Sequence, residues 1–153
     1  YGPEARGGAS KAEVVISDVE IDYPKAVKPD LLLAMNQKAC DTYLFDMKPS
    51  GVLIVDSTLV KQLPTTRAVS LPFTRIARET FGKEFVANII ALAALVALTG
   101  VVSPSSLEAA VLARVPPGTE DLNRKALEAG IDAAKQHLAQ RTDDLIDADS
   151  LDE

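Results

Sequence analysis

The segments Lys28-Pro29-Asp30-Leu31-Leu32-Leu33-Ala34-Met35 and Gly51-Val52-Leu53-Ile54-Val55-Asp56-Ser57 decide the fold class. Each is a short run, apolar at both parities and bounded by breakers, which fits a strand covered on both faces as parallel sheets require. Between them, Asn36 is suited to cap a helix over Gln37–Met47, and Pro49-Ser50-Gly51 breaks it. A strand–helix–strand unit of about thirty residues is the form of a right-handed parallel crossover.

Downstream the alternation continues. Leu59 to Pro64 is a connection, Arg67–Leu71 predicts a further strand, and Phe73–Phe81 predicts a short helix stopped by Gly82. Phe85–Leu98 is apolar almost all round; a membrane span needs about twenty such residues, and this run is shorter and holds Asn88, so it reads as a buried helix ended by Gly100. Ser103-Pro104 opens another helix, with Ser105 and Glu108 in capping-box spacing. Pro116-Pro117-Gly118 ends it, and Thr119 caps the last helix, whose first turn carries Glu120 and Asp121. Leu122, Ala126, Gly130, Ala134 and Leu138 recur every four residues, a stripe expected to dock on the sheet.

Upstream, Lys11–Ser17 reads as a strand and Asp18–Pro24 as a turn with a short extended piece. Tyr1-Gly2-Pro3-Glu4-Ala5-Arg6-Gly7-Gly8-Ala9-Ser10 is a loop, since its glycines and proline cannot hold a helix or central strand. The expected architecture is α/β: a three-layer α/β/α sandwich with a mostly parallel sheet and helices clustered at the C-terminal end. Residues 1–140 form the domain, and 141–153 are an acidic flexible tail.

With 153 residues the chain is long enough to bury a core of its own. Its 16 Lys and Arg against 22 Asp and Glu leave a net charge of −6, which argues against nucleic acid as a partner. The one cysteine, Cys40, excludes an intrachain disulfide and a four-cysteine iron–sulfur cluster held by this chain alone. The opening is polar and lacks the pattern of a secretory signal, so a cytoplasmic location is expected. It starts at Tyr1 rather than Met, which points to a fragment or processed form with a partner strand upstream.

The first loop is the leading site candidate. Arg6, set among glycines that leave the backbone open, suits an anionic ligand, and a plain surface turn is the competing reading. Gly2 and Gly7 have Walker-loop separation, but Gly8 and Ala9 stand where Lys and Ser or Thr are needed, which excludes nucleotide hydrolysis. His137, the single histidine, sits on the last helix and reads as a solvated residue; with one His and one Cys no zinc site of the usual kind can be built. Cys40, inside a predicted helix, reads as a packing residue. Asp147 and Asp149 alternate as in a calcium loop, but Leu151 and Asp152 break the motif. A Ser–His–Asp arrangement cannot be assembled from a histidine on the terminal helix. Asn36, Asp56 and Ser57 lie just past predicted strand ends, the edge where ligands of open α/β sheets gather.

These residues carry a family resemblance. Tyr1-Gly2-Pro3-Glu4-Ala5-Arg6-Gly7-Gly8-Ala9 with Val14-Val15-Ile16-Ser17-Asp18, then Pro29 to Gln37, Lys48 to Ile54, and Val86-Ala87-Asn88, resemble the gamma subunit of 2-oxoacid:ferredoxin oxidoreductases. The resemblance covers Tyr1 to about Ala139. It implies a subunit, inactive alone, of an enzyme of anaerobic metabolism that oxidatively decarboxylates a 2-oxoacid with coenzyme A to acyl-CoA, carbon dioxide and reduced ferredoxin. Thiamine diphosphate, Mg and the iron–sulfur clusters would belong to alpha and beta subunits or to a ferredoxin-like delta subunit, with ferredoxin as acceptor and no membrane partner. The gamma chain would assist assembly and the coenzyme A side of the site, through Tyr1, Gly2, Arg6, Gly7 and Gly8, with Asn36 a further cofactor-binding residue. Purely structural assembly, or a free-standing nucleotide- or coenzyme-binding protein, are the alternatives. Family members usually open with a strand and a Gly-x-Gly-Gly-x-Gly loop, which the sequence from Tyr1 onward does not contain; either it lies upstream of Tyr1 or the chain has lost half of its ligand site. Ala34-Met35-Asn36-Gln37 leans toward the 2-oxoglutarate type, with pyruvate and branched-chain types behind and indolepyruvate last.

Overall fold

The structure, a computed structural model, describes residues 10–65 and 67–150, with side chains through Asp144. The chain divides into two compact units, Tyr1–Ser70 and Leu71–Glu153.

The first unit holds the crossover. β1 (Leu31–Ala34) and β2 (Val52–Asp56) pair in parallel, Leu31 opposite Val52 and Ala34 opposite Val55, and β3 (Val69–Leu71) follows in the sheet order β1-β2-β3. α1 (Gln37–Tyr43) connects β1 to β2 and runs on into a 3₁₀ turn at Leu44–Asp46, so the helical stretch predicted to Met47 ends in a tighter turn. The period of two along a strand explains the core: Ala34, Leu53 and Val55 pack with Cys40 of α1 and with Val60, and Leu32, Leu44 and Met47 fill in around them. β2 is buried from Leu53 to Asp56, as its apolar run predicts. β1 is covered only in part, Leu31 to Leu33 being half-buried, because it has a single neighbouring strand among the described residues.

Residues 11–17 correct the sequence reading. They are not a strand: no ladder forms, and Val14 and Ile16 are 76% and 67% exposed. A β-pattern is realised only where a partner backbone satisfies it, and none is present among the described residues. Lys11 instead pairs with Glu13 at 2.6 Å and stands over the Tyr43 ring of α1.

The second unit is helical. α2 (Phe73–Ile76) continues into a π turn at Ala77–Phe81, closed by Gly82 at φ 62°. A 3₁₀ turn at Glu84–Val86 leads into α3 (Ala87–Thr99), which ends at Gly100 in the left-handed region. α3 is the buried helix its composition predicts, with Ala87, Ile90, Ala91, Ala93, Ala94 and Val96 enclosed. No helix among the described residues is long and apolar enough to cross a membrane. α4 (Pro104–Leu112) is capped by Ser103, whose Oγ accepts the Ser106 N–H at 3.2 Å, so the Ser105–Glu108 capping box does not form. Glu108 instead accepts from Arg124 Nε at 3.1 Å.

α5 (Glu120–Ser150) meets α3 along a small-residue contact. A Cβ at Gly130 would stand 2.2 Å from the Ile90 carbonyl oxygen, so this position admits glycine alone at the observed spacing. The buried set is Asn123, Ala126, Leu127, Gly130 and Ala134, whereas Leu122 is half-buried and Leu138 is 45% exposed. Two corrections follow: the stripe docks on a helix, α3, and its outer members leave it. Steps of four residues overshoot a helical turn by about 40° each, so a stripe spaced strictly by four winds off its face. α5 also continues through residues 141–150, where composition alone suggested a frayed tail, and residues 141–144 are exposed.

Candidate functional site

The described site candidates gather at the carboxyl edge of β1 and β2. Parallel pairing with Ala34 opposite Val55 brings Asn36 and the Asp56-Ser57 step to the same end of the sheet. Asn36 caps α1: its backbone is extended, and its Oδ1 accepts the Ala39 N–H at 2.8 Å. Its acceptor oxygen is thus committed to the helix. Asp56, fully buried, organises the turn after β2; its Oδ1 accepts the Thr58 N–H at 3.1 Å, and its carbonyl accepts the N–H groups of Leu59 and Val60.

Gln37 is the residue the sequence reading missed as a site member. Its Oε1 accepts the N–H groups of Lys61 and Gln62 at 2.9 and 3.0 Å, and its Nε2 donates to the Gln62 carbonyl and to Asp41 Oδ1, both at 2.9 Å. A glutamine amide has two donors and two acceptor lone pairs, and here all four are used. The first turn of α1 is therefore clasped to the loop that leaves β2. Lys61 Nζ in turn donates to the Ser57 carbonyl at 2.8 Å, which holds its ammonium at the end of β2. The sequence signals were the position of Gln37, directly after a cap and just past a strand end, and its place in the Ala34-Met35-Asn36-Gln37 segment that carries the family resemblance.

Other candidates fall outside this edge. Tyr1, Gly2, Arg6, Gly7 and Gly8 lie outside the described residues. Cys40 is wholly buried in the first core, and that burial, followed by the nearby Asp41 carboxylate, pushes its thiol pKa up. This is a packing role, as predicted. His137 is not the solvated residue expected; it is half-buried, and its Nε2 is enclosed without a hydrogen-bond partner among the described residues. Among the described residues no three His, Cys, Asp or Glu side chains gather as metal ligands. A shallow depression of about 250 Å³, lined by Phe45, Met47, Lys48, Gly51, Pro64 and Arg67 among others, lies by the segments that enter β2 and β3. It shares no lining residue with the carboxyl edge.

Parallel strands joined by a crossover helix, with polar loop residues at their carboxyl edge, make this an α/β domain. The particular family is shown by likeness: residues 1–133 match the family described as pyruvate ferredoxin/flavodoxin oxidoreductase, and the chain belongs to it. It is 50% identical over 140 residues to 2-oxoglutarate synthase subunit KorC of Methanocaldococcus jannaschii, covering 89% of this chain and 75% of that one. Ketoisovalerate oxidoreductase subunit VorA of Methanothermobacter thermautotrophicus is 35% identical over 144 residues, 90% of this chain and 30% of its own length. The crystal structure of a keto/oxoacid ferredoxin oxidoreductase gamma subunit from Geobacter sulfurreducens superposes with a TM-score of 0.77 at 50% identity, covering 89% of this chain and 77% of that one. These relatives are subunits of 2-oxoacid oxidoreductases, and the domain is of their gamma type.

Proposed function

We propose that this chain is the gamma-type subunit of a 2-oxoglutarate:ferredoxin oxidoreductase, which converts 2-oxoglutarate and coenzyme A to succinyl-CoA, carbon dioxide and reduced ferredoxin. The observation that carries the substrate is the difference in likeness: 50% identity to a 2-oxoglutarate synthase subunit against 35% to a ketoisovalerate oxidoreductase subunit. Thiamine diphosphate, Mg and the iron–sulfur clusters then reside in the alpha and beta subunits or a ferredoxin-like delta subunit. The single thiol of this chain, sunk in an apolar core, is in keeping with that division. The role of the chain is to help assemble the complex and to complete the coenzyme A side of its active site, with the loop around Arg6 as the anion-receiving element.

A second reading, assembly without ligand contact, draws on the exposed apolar side chains of Val14, Ile16, Val19, Ile21, Tyr23 and Val27. Exposed apolar surface of this kind marks interaction sites.

The substrate is tested in the complete complex under anaerobic conditions, by following coenzyme A-dependent acceptor reduction with 2-oxoglutarate, pyruvate and 2-ketoisovalerate. We expect kcat/KM for 2-oxoglutarate to exceed the others by at least about tenfold, a difference of about 1.4 kcal/mol. A preference for either competitor overturns the substrate assignment. Absence of any 2-oxoacid-dependent reduction overturns the enzyme reading.

A further inference from the structure

We propose that Gln37 is a positioning residue that sets Lys61 as a phosphate-binding cation for coenzyme A at the carboxyl edge of β1 and β2. The inference rests on the reading of the chain as a coenzyme A-side subunit. Three observations support it. First, the clasp is saturated: four hydrogen bonds of 2.9–3.0 Å converge on Gln37, three of them to backbone groups of Lys61 and Gln62. These three bonds at the far end of the connecting loop add to the three that Asp56 makes to Thr58, Leu59 and Val60 at its start, so the loop's path is fixed at both ends. Second, the clasp delivers a charge. With its backbone N–H bonded to Gln37, Lys61 turns its side chain back toward the strand end, and Nζ lies 2.8 Å from the Ser57 carbonyl. An ammonium has three donors, so two remain for a ligand. Third, the position is where open parallel sheets receive ligands, and among the described residues Lys61 forms no ion pair with a carboxylate. Coenzyme A carries phosphates, for which an ammonium held as a point charge is suited.

Gln37 acts through Lys61, so the two substitutions must not add. In the complete complex, Lys61→Ala should raise KM for coenzyme A about tenfold, the scale of one charge-assisted hydrogen bond, with kcat and KM for 2-oxoglutarate little changed. Gln37→Ala should raise KM for coenzyme A in the same way, and the double variant should be no worse than Lys61→Ala. Lys61→Arg should restore most of the loss. Unchanged KM for coenzyme A in Lys61→Ala, or additive effects in the double variant, overturns the proposal. Lys61 is exposed and outside the core, so its variant keeps the test decisive even where Gln37→Ala fails to assemble. A wild-type complex that shows no coenzyme A-dependent turnover refutes the underlying functional reading instead, and is told apart by that control.

Discussion

A thiol becomes a nucleophile only as a thiolate, and Cys40 is placed where the thiolate is disfavoured. It is fully buried among Ala34, Leu53, Val55 and Val60, and desolvation, reinforced by the Asp41 carboxylate, raises its pKa. The native chain should therefore resist alkylation by iodoacetamide near neutral pH, and label quickly after unfolding in guanidinium. Mass spectrometry of quenched time points measures this, and rapid labelling of the folded chain would contradict the burial. The same contrast between local and non-local determinants holds for the polar residues. Asn36 was legible as a cap because capping is local, joining its own oxygen to the N–H three residues on. Gln37 was not legible as a clasp, because its partners lie 24 and 25 residues away.

Among the elements, the α3–α5 pair shows how a glycine can specify packing. Gly130 lies inside α5, where glycine costs about 1 kcal/mol against alanine, yet a methyl group there would run into the Ile90 carbonyl at 2.2 Å and the Ala93 Cβ at 2.8 Å. Overpacking of this kind typically costs about 1–3 kcal/mol and occasionally more. The backbone carbonyl can move only if the helix moves, so the clash should outweigh the propensity gain. Gly130→Ala should lower stability by up to about 2 kcal/mol net, read as a reduced midpoint in urea with little change in slope. A stabilised variant would mean that the helices separate without penalty. Helix ends marked by glycine were predictable, Gly82 and Gly100 both adopting positive φ, whereas the end of α5, which neither glycine nor proline marks, was not. The stripe on α5 was predicted less well, since the buried face of a helix is set by its partner as well as by its own period.

At the level of the whole molecule, the coenzyme A roles proposed for the sequence Tyr1–Ala9 and for the edge loop Ser57–Gln62 are separable. Arg6→Ala should raise the apparent KM for coenzyme A in the assembled enzyme while subunits still co-purify. Normal coenzyme A kinetics with weakened co-purification would instead favour the assembling role suggested by the exposed apolar run from Val14 to Val27. Size-exclusion chromatography of the complex, run beside the kinetics, distinguishes the two.

By itself the sequence determined the α/β class, the parallel crossover from Leu31 to Asp56, the buried α3 and the packing role of Cys40. All of these follow from apolar period, local breakers and residue chemistry within one or two turns of chain. It also carried the family, through Tyr1–Ala9 and Pro29–Gln37. Only the tertiary structure decided that residues 11–17 form no strand and that α5 packs on α3. It alone placed the Gln37 clasp over the carboxyl edge. The physical reason is common to most of them: pairing, docking and clasping depend on groups distant in sequence, whose meeting is fixed by the fold and not by the residues' local preferences.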